Sequence, residues 1–168
     1  MLYLKQANRE DIDEEYKAVS QFSRFENGFE NIFYGMSKAS FASKGINTLE
    51  DLAAGKKLKS YQVPETYFFL WDDNTIVGLF KIRHYLNDAL RNGAGHIGFG
   101  IIPQYRNRHY ATEGLKLALE ECKKLVKEDE VYMACYKWNR PSIQVQLNNG
   151  ARIVKEDEGI YHTRIKIR

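Results

Sequence analysis

The most informative part of this sequence is the stretch Gly98-Phe-Gly-Ile-Ile-Pro-Gln-Tyr-Arg-Asn-Arg-His-Tyr-Ala-Thr112. It is typical of a strand that ends at Pro103, followed by a basic turn and a long helix that begins near Tyr110. The first turn of a helix has unbonded N–H groups and the positive end of the dipole, an arrangement that binds phosphate. Arg106 and Arg108 add positive charge there. The turn is therefore a candidate anion site.

The glycines of this stretch allow a second interpretation. Gly98 and Gly100 share a strand face with His96 and leave that face almost without side chains. A ligand or another backbone can approach such a face closely. The same glycines would also suit a strand that only makes room for a packed helix, with arginines that only face solvent. The bare pattern leaves both interpretations open.

Elements of both kinds are predicted around this stretch. Strands are predicted at 2–6, 66–71, 75–85, 96–102, 130–136, 151–154 and 161–167, and helices from near 11, at 49–54, 110–127 and 142–149. Thr48 is expected to cap the second helix and Gly55 to end it, and the rest of 21–60 is expected to be loop. Hairpins joined to crossovers predict an α/β (α+β) fold with a mixed, mostly antiparallel twisted sheet flanked by helices.

Composition narrows the class of protein. The 168 residues are 43% hydrophobic and 28% charged with a net charge of +3, which suits one globular domain over 1–168. The scattered basic residues argue against nucleic acid. No apolar run approaches the roughly 18 residues of a membrane span, and no leader is visible. Cys122 and Cys135 lack metal-ligand spacing or disulfide density. We expect a cytoplasmic protein with no metal and no membrane partner.

Several common motifs are absent. The segment Gly98-Phe-Gly-Ile-Ile-Pro103 begins like a dinucleotide fingerprint but has proline where the third glycine would stand. The sequence contains no Gly-Lys-Ser/Thr of a P-loop, no Gly-x-Ser-x-Gly and no His-Glu-x-x-His. The commonest nucleotide-binding, hydrolase and zinc-protease patterns are therefore excluded.

Two segments resemble one family. Residues 95–119 are similar to the acetyl-CoA-binding core of the GNAT superfamily of N-acetyltransferases, and 134–150 are similar to its later strand and helix, with Asn-x-x-Ser and a terminal Asn-Gly. The family signature is Arg or Gln, two residues, Gly, one residue, then Gly or Ala. The chain has Arg106-Asn-Arg-His-Tyr-Ala111, with His109 at the glycine position. A side chain there either points outward, crowds a phosphate or donates to it.

The resemblance implies direct transfer of acetyl from acetyl-CoA, as cosubstrate, to a primary amine of a small molecule or peptide in a ternary complex. It implies that Ile101 and Ile102 offer backbone groups to the pantetheine arm and the thioester carbonyl. The residues it assigns to the pyrophosphate are Arg106, Asn107, Arg108, His109, Tyr110 and Ala111. It places Asn139 and Ser142 along the other side of the cofactor.

The general acid and the general base of this reaction are harder to assign from the sequence than the cofactor-binding residues. An amine with a pKa near 10 must lose a proton before it attacks. His96 is our candidate base, with His84 as second choice, because an imidazole titrates near neutrality; a histidine that only bonds a loop is the alternative. Many family members carry Tyr where this chain has Gln146. Here Tyr136 or another tyrosine, or water, would protonate the leaving thiolate, or the thiolate would leave unaided. Cys135 is expected to be a small core residue.

Three functions remain open at this point. The first is N-acetyl transfer. The second is a GNAT-fold protein that binds acyl-CoA, or regulates, without turnover, which His109 and Gln146 favour. The third is an interaction domain with an aromatic surface. The aromatic residues of 21–60 would line a pocket, form a homodimer interface or pack in the core: Phe22, Phe25, Phe29, Phe33, Tyr34 and Phe41.

Overall fold

The computed structural model describes residues 1–168. Its strands are β1 (Leu2–Gln6), β2 (Phe25–Glu26), β3 (Phe29–Glu30), β4 (Glu65–Asp72), β5 (Thr75–Arg83), β6 (Ile97–Ile101), β7 (Glu130–Tyr136), β8 (Arg152–Glu156) and β9 (Ile160–Lys166). Its α-helices are α1 (Ile12–Val19), α2 (Lys38–Ser40), α3 (Ile46–Ala54), α4 (Asp88–Arg91), α5 (Tyr110–Leu125) and α6 (Arg140–Asn148). None of these helices is long and apolar enough to cross a membrane.

The larger sheet has the order β1-β4-β5-β6, and each neighbouring pair is antiparallel. Its centre is the β4–β5 hairpin, whose β-branched and aromatic residues suit strands covered on both faces. The turn between them holds Asp73 in the left-handed region, at φ 49°. Tyr67, Phe69 and Trp71 face one core, and Phe68 and Leu70 face the other. The predicted hairpin and the mostly antiparallel sheet flanked by helices are confirmed.

The second sheet has the order β7-β9-β8, also antiparallel. It meets the larger sheet at the start of β6, through a bridge between Gly95 and Met133 and a 2.7 Å hydrogen bond from the His96 amide to the Tyr132 carbonyl. Gly95 has φ 70°, and a Cβ there would overlap the Tyr132 carbonyl oxygen. No ladder joins the rest of β6 and β7, so the two sheets separate and a cleft opens between them.

Helix α5 crosses from β6 to β7 and covers one face of the larger sheet. Leu115, Ala118 and Cys122 are fully buried along its inner stripe, as their spacing predicts. The helix ends at Leu125 instead of Lys127 because Val126 is extended and buried. The ion pairs on the outer face of this helix are Glu120–Lys123 and Glu121–Lys124.

The prediction of loop over most of 21–60 is wrong. Strands β2 and β3 form a hairpin around Asn27-Gly28, at φ 52° and 85°, the turn chemistry that short hairpins need. Helix α2, capped by Ser37, continues through a π-helical turn at Phe41–Gly45 into α3.

The predicted cap of the second helix is also wrong, and its predicted end is confirmed. Thr48 lies inside the helix and donates to the Lys44 carbonyl at 2.8 Å. Gly55 ends the helix in the left-handed region, at φ 68°. The buried rings of this region, Phe22, Phe29, Phe33 and Phe41, lie in the core, whereas Phe25 and Tyr34 are exposed. Packing of these rings thus orders a segment whose local sequence pattern is weak.

Candidate functional site

The cleft between the two sheets has two connected compartments. The outer compartment, about 670 Å³, lies between the end of β6, the start of α5 and helix α6. The inner compartment, about 360 Å³, lies between β5, the start of β6, β7 and the β2–β3 hairpin. Asn27, Phe29, Phe99 and Ser142 line both. Because the compartments share walls, one elongated ligand can occupy both.

The loop that enters α5 presents unbonded backbone donors to the outer compartment. The amide of Arg106 donates to the Pro103 carbonyl and that of Glu113 donates to the His109 carbonyl, and the amides of 107–112 have no acceptor in the chain. Asn107 and His109 have φ values of 61° and 63°. Left-handed residues alternating with others turn successive N–H groups to one side. We call residues 106–112 the anion cup, because these amides and the helix dipole suit a negatively charged group.

The arginines of the cup do not both face the cavity. Arg106 donates from Nε to the Ile101 carbonyl at 3.0 Å and forms an ion pair with Glu26 of β2. Its guanidinium therefore fastens the cup to the hairpin that covers the cleft. Arg108 lies over the Tyr105 ring, with its guanidinium carbon 6.0 Å from the ring centre. Arg108 does not line either compartment.

Tyr110 and Asn139 fix the two helices that border the outer compartment. The Tyr110 hydroxyl donates to Asp72 at 2.7 Å, and this hydrogen bond raises the pKa of Tyr110. Asn139 caps α6, since its side-chain oxygen accepts from the Ser142 amide. The start of α5 is thus held to β4 and the start of α6 is held to the loop before it.

Most of the residues predicted to bind a cofactor meet at the outer compartment. They are Ile101, Arg106, Asn107, His109, Tyr110, Ala111, Asn139 and Ser142. Ile102 does not: it is 1% exposed, and its amide donates to the Val77 carbonyl at 2.9 Å. Its carbonyl accepts from the Tyr105 amide at 2.9 Å. Because both backbone groups are already bonded within the chain, the structure argues against the prediction that Ile102 offers them to a ligand.

The inner compartment has a polar wall formed by β7 and α6. Gln146 is 1% exposed; its oxygen accepts from the Thr163 hydroxyl at 2.6 Å, and its nitrogen lies 3.4 Å from the Ser142 hydroxyl. Burial raises the pKa of Cys135, although hydrogen bonds to Ser142 and Gln146 oppose this. The Cys135 side chain is accordingly a neutral thiol at neutral pH.

Tyr136 lies at the mouth of the inner compartment. Its ring stacks on Trp138, with ring centres 5.3 Å apart, and covers Gly28 of the hairpin turn. A Cβ at Gly28 would lie 3.1 Å from the Tyr136 ring. The tyrosine is half exposed and borders the cavity. Its predicted role as proton donor stays a prediction.

The structure places His96 outside the cleft. The ring is fully buried; Nδ1 accepts from the Tyr132 amide at 2.9 Å and Nε2 lies 3.0 Å from the Glu128 carboxylate. Since the amide must donate to Nδ1, the ring proton is on Nε2. Burial lowers the pKa of His96. Neither nitrogen is free to take a proton from a substrate, which argues against the predicted base role.

The second-choice base is also remote from the cavity. His84 is bonded through Nε2 to the Thr66 hydroxyl at 2.8 Å and lines neither compartment. The cleft therefore contains no histidine apart from His109 of the cup.

Sequence reasoning missed Lys81 and the β2–β3 hairpin. Lys81 lines the inner compartment together with Glu30 and Asn27 of the hairpin. A signal for Lys81 was available, because a charged residue interrupts the apolar run of β5 on a face that otherwise packs into the core. The hairpin had the Asn27-Gly28 turn as its signal.

The fold and the cleft define an α/β protein with an anion cup at the start of its longest helix. Residues 2–152 match the family described as the acetyltransferase (GNAT) domain. The chain therefore belongs to the GNAT acetyltransferase family. No curated protein matches the chain in sequence.

Solved structures share this fold at low sequence identity. The Campylobacter jejuni N-acetyltransferase PseH, in complex with acetyl coenzyme A, is 15% identical with a TM-score of 0.59 over 99% of both chains. The spermidine/spermine N-acetyltransferase SpeG from Vibrio cholerae is 14% identical with a TM-score of 0.60, over 99% of this chain and 95% of that one. Mycobacterium smegmatis RimJ, in complex with CoA-disulfide, is 17% identical with a TM-score of 0.66, over 98% and 81%.

Proposed function

We propose that the protein transfers acetyl from acetyl-CoA to a primary amine of a small molecule or peptide, directly and in a ternary complex. The observation that carries this is the anion cup: the amides of 107–112 have no acceptor within the chain, and all of these residues except Arg108 line a 670 Å³ cavity. A diphosphate offers several charged acceptor oxygens to such donors. Membership of the family and the CoA ligands named for PseH and RimJ support the choice of ligand.

The rest of the cofactor would follow β6. This strand pairs with β5 on one side only, so the backbone groups on its other edge face the cleft. The amide groups of pantetheine can bond to such an edge as a strand does. This route leads from the cup past Ile101 and Phe99 into the inner compartment. Backbone N–H groups there would stabilise the oxyanion that forms on the thioester carbonyl.

Proton transfer is assigned to groups that border the inner compartment. Glu30 is the one carboxylate that lines it, and it has no ion-pair partner. It would accept the proton of the attacking amine, directly or through water. Tyr136 would donate to the departing thiolate, and a thiolate is also a weak enough base to leave unaided.

An added carboxylate in the cup tests the cofactor assignment. Ala111→Glu places a negative charge beside the unbonded amides, and an acidic residue in the first turn does not weaken the helix. We expect the acetyl-CoA dissociation constant, measured by calorimetry, to rise at least tenfold, with the melting temperature unchanged or higher. Ser60→Glu, which adds the same charge at an exposed site, is the control. Equal affinity in both variants would place the cofactor elsewhere.

The second candidate is a GNAT-fold protein that binds acyl-CoA without turnover. Gln146 favours it, since this side chain occupies the expected tyrosine position and is fixed to Thr163. Release of free thiol from acetyl-CoA in the presence of a panel of amines separates the two functions. An enzyme gives amine-dependent thiol release at micromolar protein, whereas a binding protein gives none although calorimetry detects acetyl-CoA.

A further inference from the structure

Lys81 crosses the edge of the larger sheet to reach the inner compartment. It lies on β5, in register with Tyr67 of β4 and Gly98 of β6. Its alkyl stem runs over Gly98: a Cβ at Gly98 would lie 2.8 Å from Lys81 Cε and 3.3 Å from Cγ. Since β6 is the edge strand beside the cleft, the missing side chain at Gly98 is what lets the lysine pass. The ammonium thus comes to the part of the cavity where an acceptor would meet the thioester.

The ammonium of Lys81 has no anionic partner in the chain. No carboxylate lies within 4.0 Å of Nζ and no hydrogen bond from it is formed; Nζ lies over the Phe29 ring, 5.7 Å from the ring centre. Glu30 is exposed at the rim of the compartment. Burial lowers the pKa of Lys81, while Glu65 and Glu30 partly oppose this. An enclosed cation without a counterion is costly, so such positions usually have an anionic partner.

The neighbouring cation on the same face shows the contrast. Arg83, two residues further along β5, lies 3.4 Å from Glu65 and donates to the Gly95 carbonyl at 2.9 Å. Both side chains of this ion pair are largely buried. Arg83 and Glu65 therefore satisfy each other and hold the strand ends together. Lys81 is therefore the cation of the inner compartment that has no ion-pair partner.

We propose that the acceptor amine carries an anionic group, a carboxylate or a phosphate, that pairs with Lys81 in the inner compartment. This proposal rests on the proposed acetyl transfer and names the substrate class for that same site. A charged partner supplies the counterion that the chain does not provide. A fixed cation also repels acceptors that carry only positive charge, so it discriminates against polyamines. The compartment, at about 360 Å³, suits a small molecule.

Paired acceptors that differ by the anionic group test this proposal. Initial rates of thiol release are compared for L-lysine against cadaverine and for glucosamine 6-phosphate against glucosamine, at saturating acetyl-CoA. We expect kcat/KM at least tenfold higher for the anionic member of at least one pair, and the preferred pair distinguishes carboxylate from phosphate. Lys81→Met keeps the stem and removes the charge. It should lower kcat/KM for the anionic member at least tenfold and leave kcat/KM for the purely cationic member unchanged or higher, because the repulsion is removed.

The control is Lys116→Met, which removes an exposed lysine of α5 and should leave kcat/KM unchanged for both members of each pair. Equal kcat/KM within every pair, or equal losses for both members in Lys81→Met, would overturn the proposal. If acetyl-CoA binds but no acceptor reacts, calorimetric titration of the CoA-loaded protein with the same pairs decides. The proposal is supported if the protein binds the anionic member more tightly and Lys81→Met abolishes this preference. Equal or undetectable binding of the two members overturns it. The same titrations of the protein without CoA measure acceptor binding independently of acetyl transfer. Failure of the proposed acetyl transfer can therefore be distinguished from failure of the proposed Lys81 contact.

Discussion

His109 is a histidine in a backbone conformation that suits glycine. It holds φ 63° and ψ 3° at the residue before α5, and such left-handed geometry costs an L residue roughly 1–2 kcal/mol relative to glycine. The side chain is exposed at the edge of the cup. The cup thus keeps the geometry that turns its amides to one side although a histidine occupies the glycine position of the family signature.

Replacement of this histidine should stabilise the fold. We expect His109→Gly to raise the free energy of unfolding by roughly 0.5–1 kcal/mol, because the relief of backbone strain exceeds the extra entropy of the unfolded chain. Urea denaturation at neutral pH measures this. Lys116→Gly, within α5, is the matched control and should lower stability by about 1 kcal/mol. A loss of stability in His109→Gly would show that the imidazole makes contacts that outweigh the backbone strain.

At the scale of elements, the cleft exists because β6 and β7 meet at one end and separate at the other. His96 holds the joined end: its amide and ring bond to the Tyr132 backbone, and its Nε2 faces Glu128 in the loop before β7. Leu86 donates to the same glutamate at 2.9 Å. This buried network fixes the spacing of the two sheets at the point from which the cleft opens.

A structural role for His96 predicts a defined result. We expect His96→Ala to lower the free energy of unfolding by about 2–4 kcal/mol, since it leaves the Tyr132 amide and one oxygen of Glu128 without a hydrogen-bond partner and creates a cavity. His96→Asn should recover part of this loss, because its oxygen can accept from the Tyr132 amide. His84→Ala, at a half-buried site, should lower the free energy of unfolding by less than His96→Ala does.

The enzymatic readout separates this role from catalysis. In His96→Asn, the pH profile of kcat/KM should keep its acid limb if His96 only positions the strands. Loss of that limb in a variant with normal stability would restore the original assignment of His96 as the base.

Prediction of elements from the sequence succeeded where one local pattern was strong. The stripe of α5 and the aromatic run of β4 each imply one structure at any position in a fold, and both were predicted within a few residues. Apart from the Asn27-Gly28 turn, the segment 21–60 has no such pattern, and its order depends on rings such as Phe33 and Phe41 that pack against β4 and α1. Those contacts join residues far apart in sequence, so a local pattern cannot show them.

At the scale of the whole molecule, one buried acid couples stability to pH. Glu15 of α1 is 1% exposed; one of its oxygens accepts from the Asn8 amide at 2.9 Å and the other has no partner. Burial raises the pKa of Glu15 to about 8, with a further rise from Asp11 and an opposing effect of Lys5. The folded protein therefore holds a proton on Glu15 that the unfolded chain releases at a lower pH.

The sign of this effect follows from linkage. Between the unfolded and folded pKa values the folded state binds more protons, so stability falls as pH rises from about 5 to 8, by up to roughly 1.4 kcal/mol per pH unit. We expect Glu15→Gln to remove most of this slope in urea denaturation at several pH values. Glu14→Gln, at an exposed neighbour, is the control and should keep it. A flat wild-type profile would mean that Glu15 is ionised when folded.

The fold class, the family and the location of the anion cup can be read from the amino-acid sequence alone, because each depends on a contiguous pattern of residues. Which side chains face the cleft depends on the packing of the whole chain. This packing places His96 in a buried network, takes Ile102 into strand pairing and brings Lys81 over Gly98 into the inner compartment. The reason is physical: strand register and the separation of the two sheets set the direction of each side chain, and both arise from contacts between residues distant in sequence.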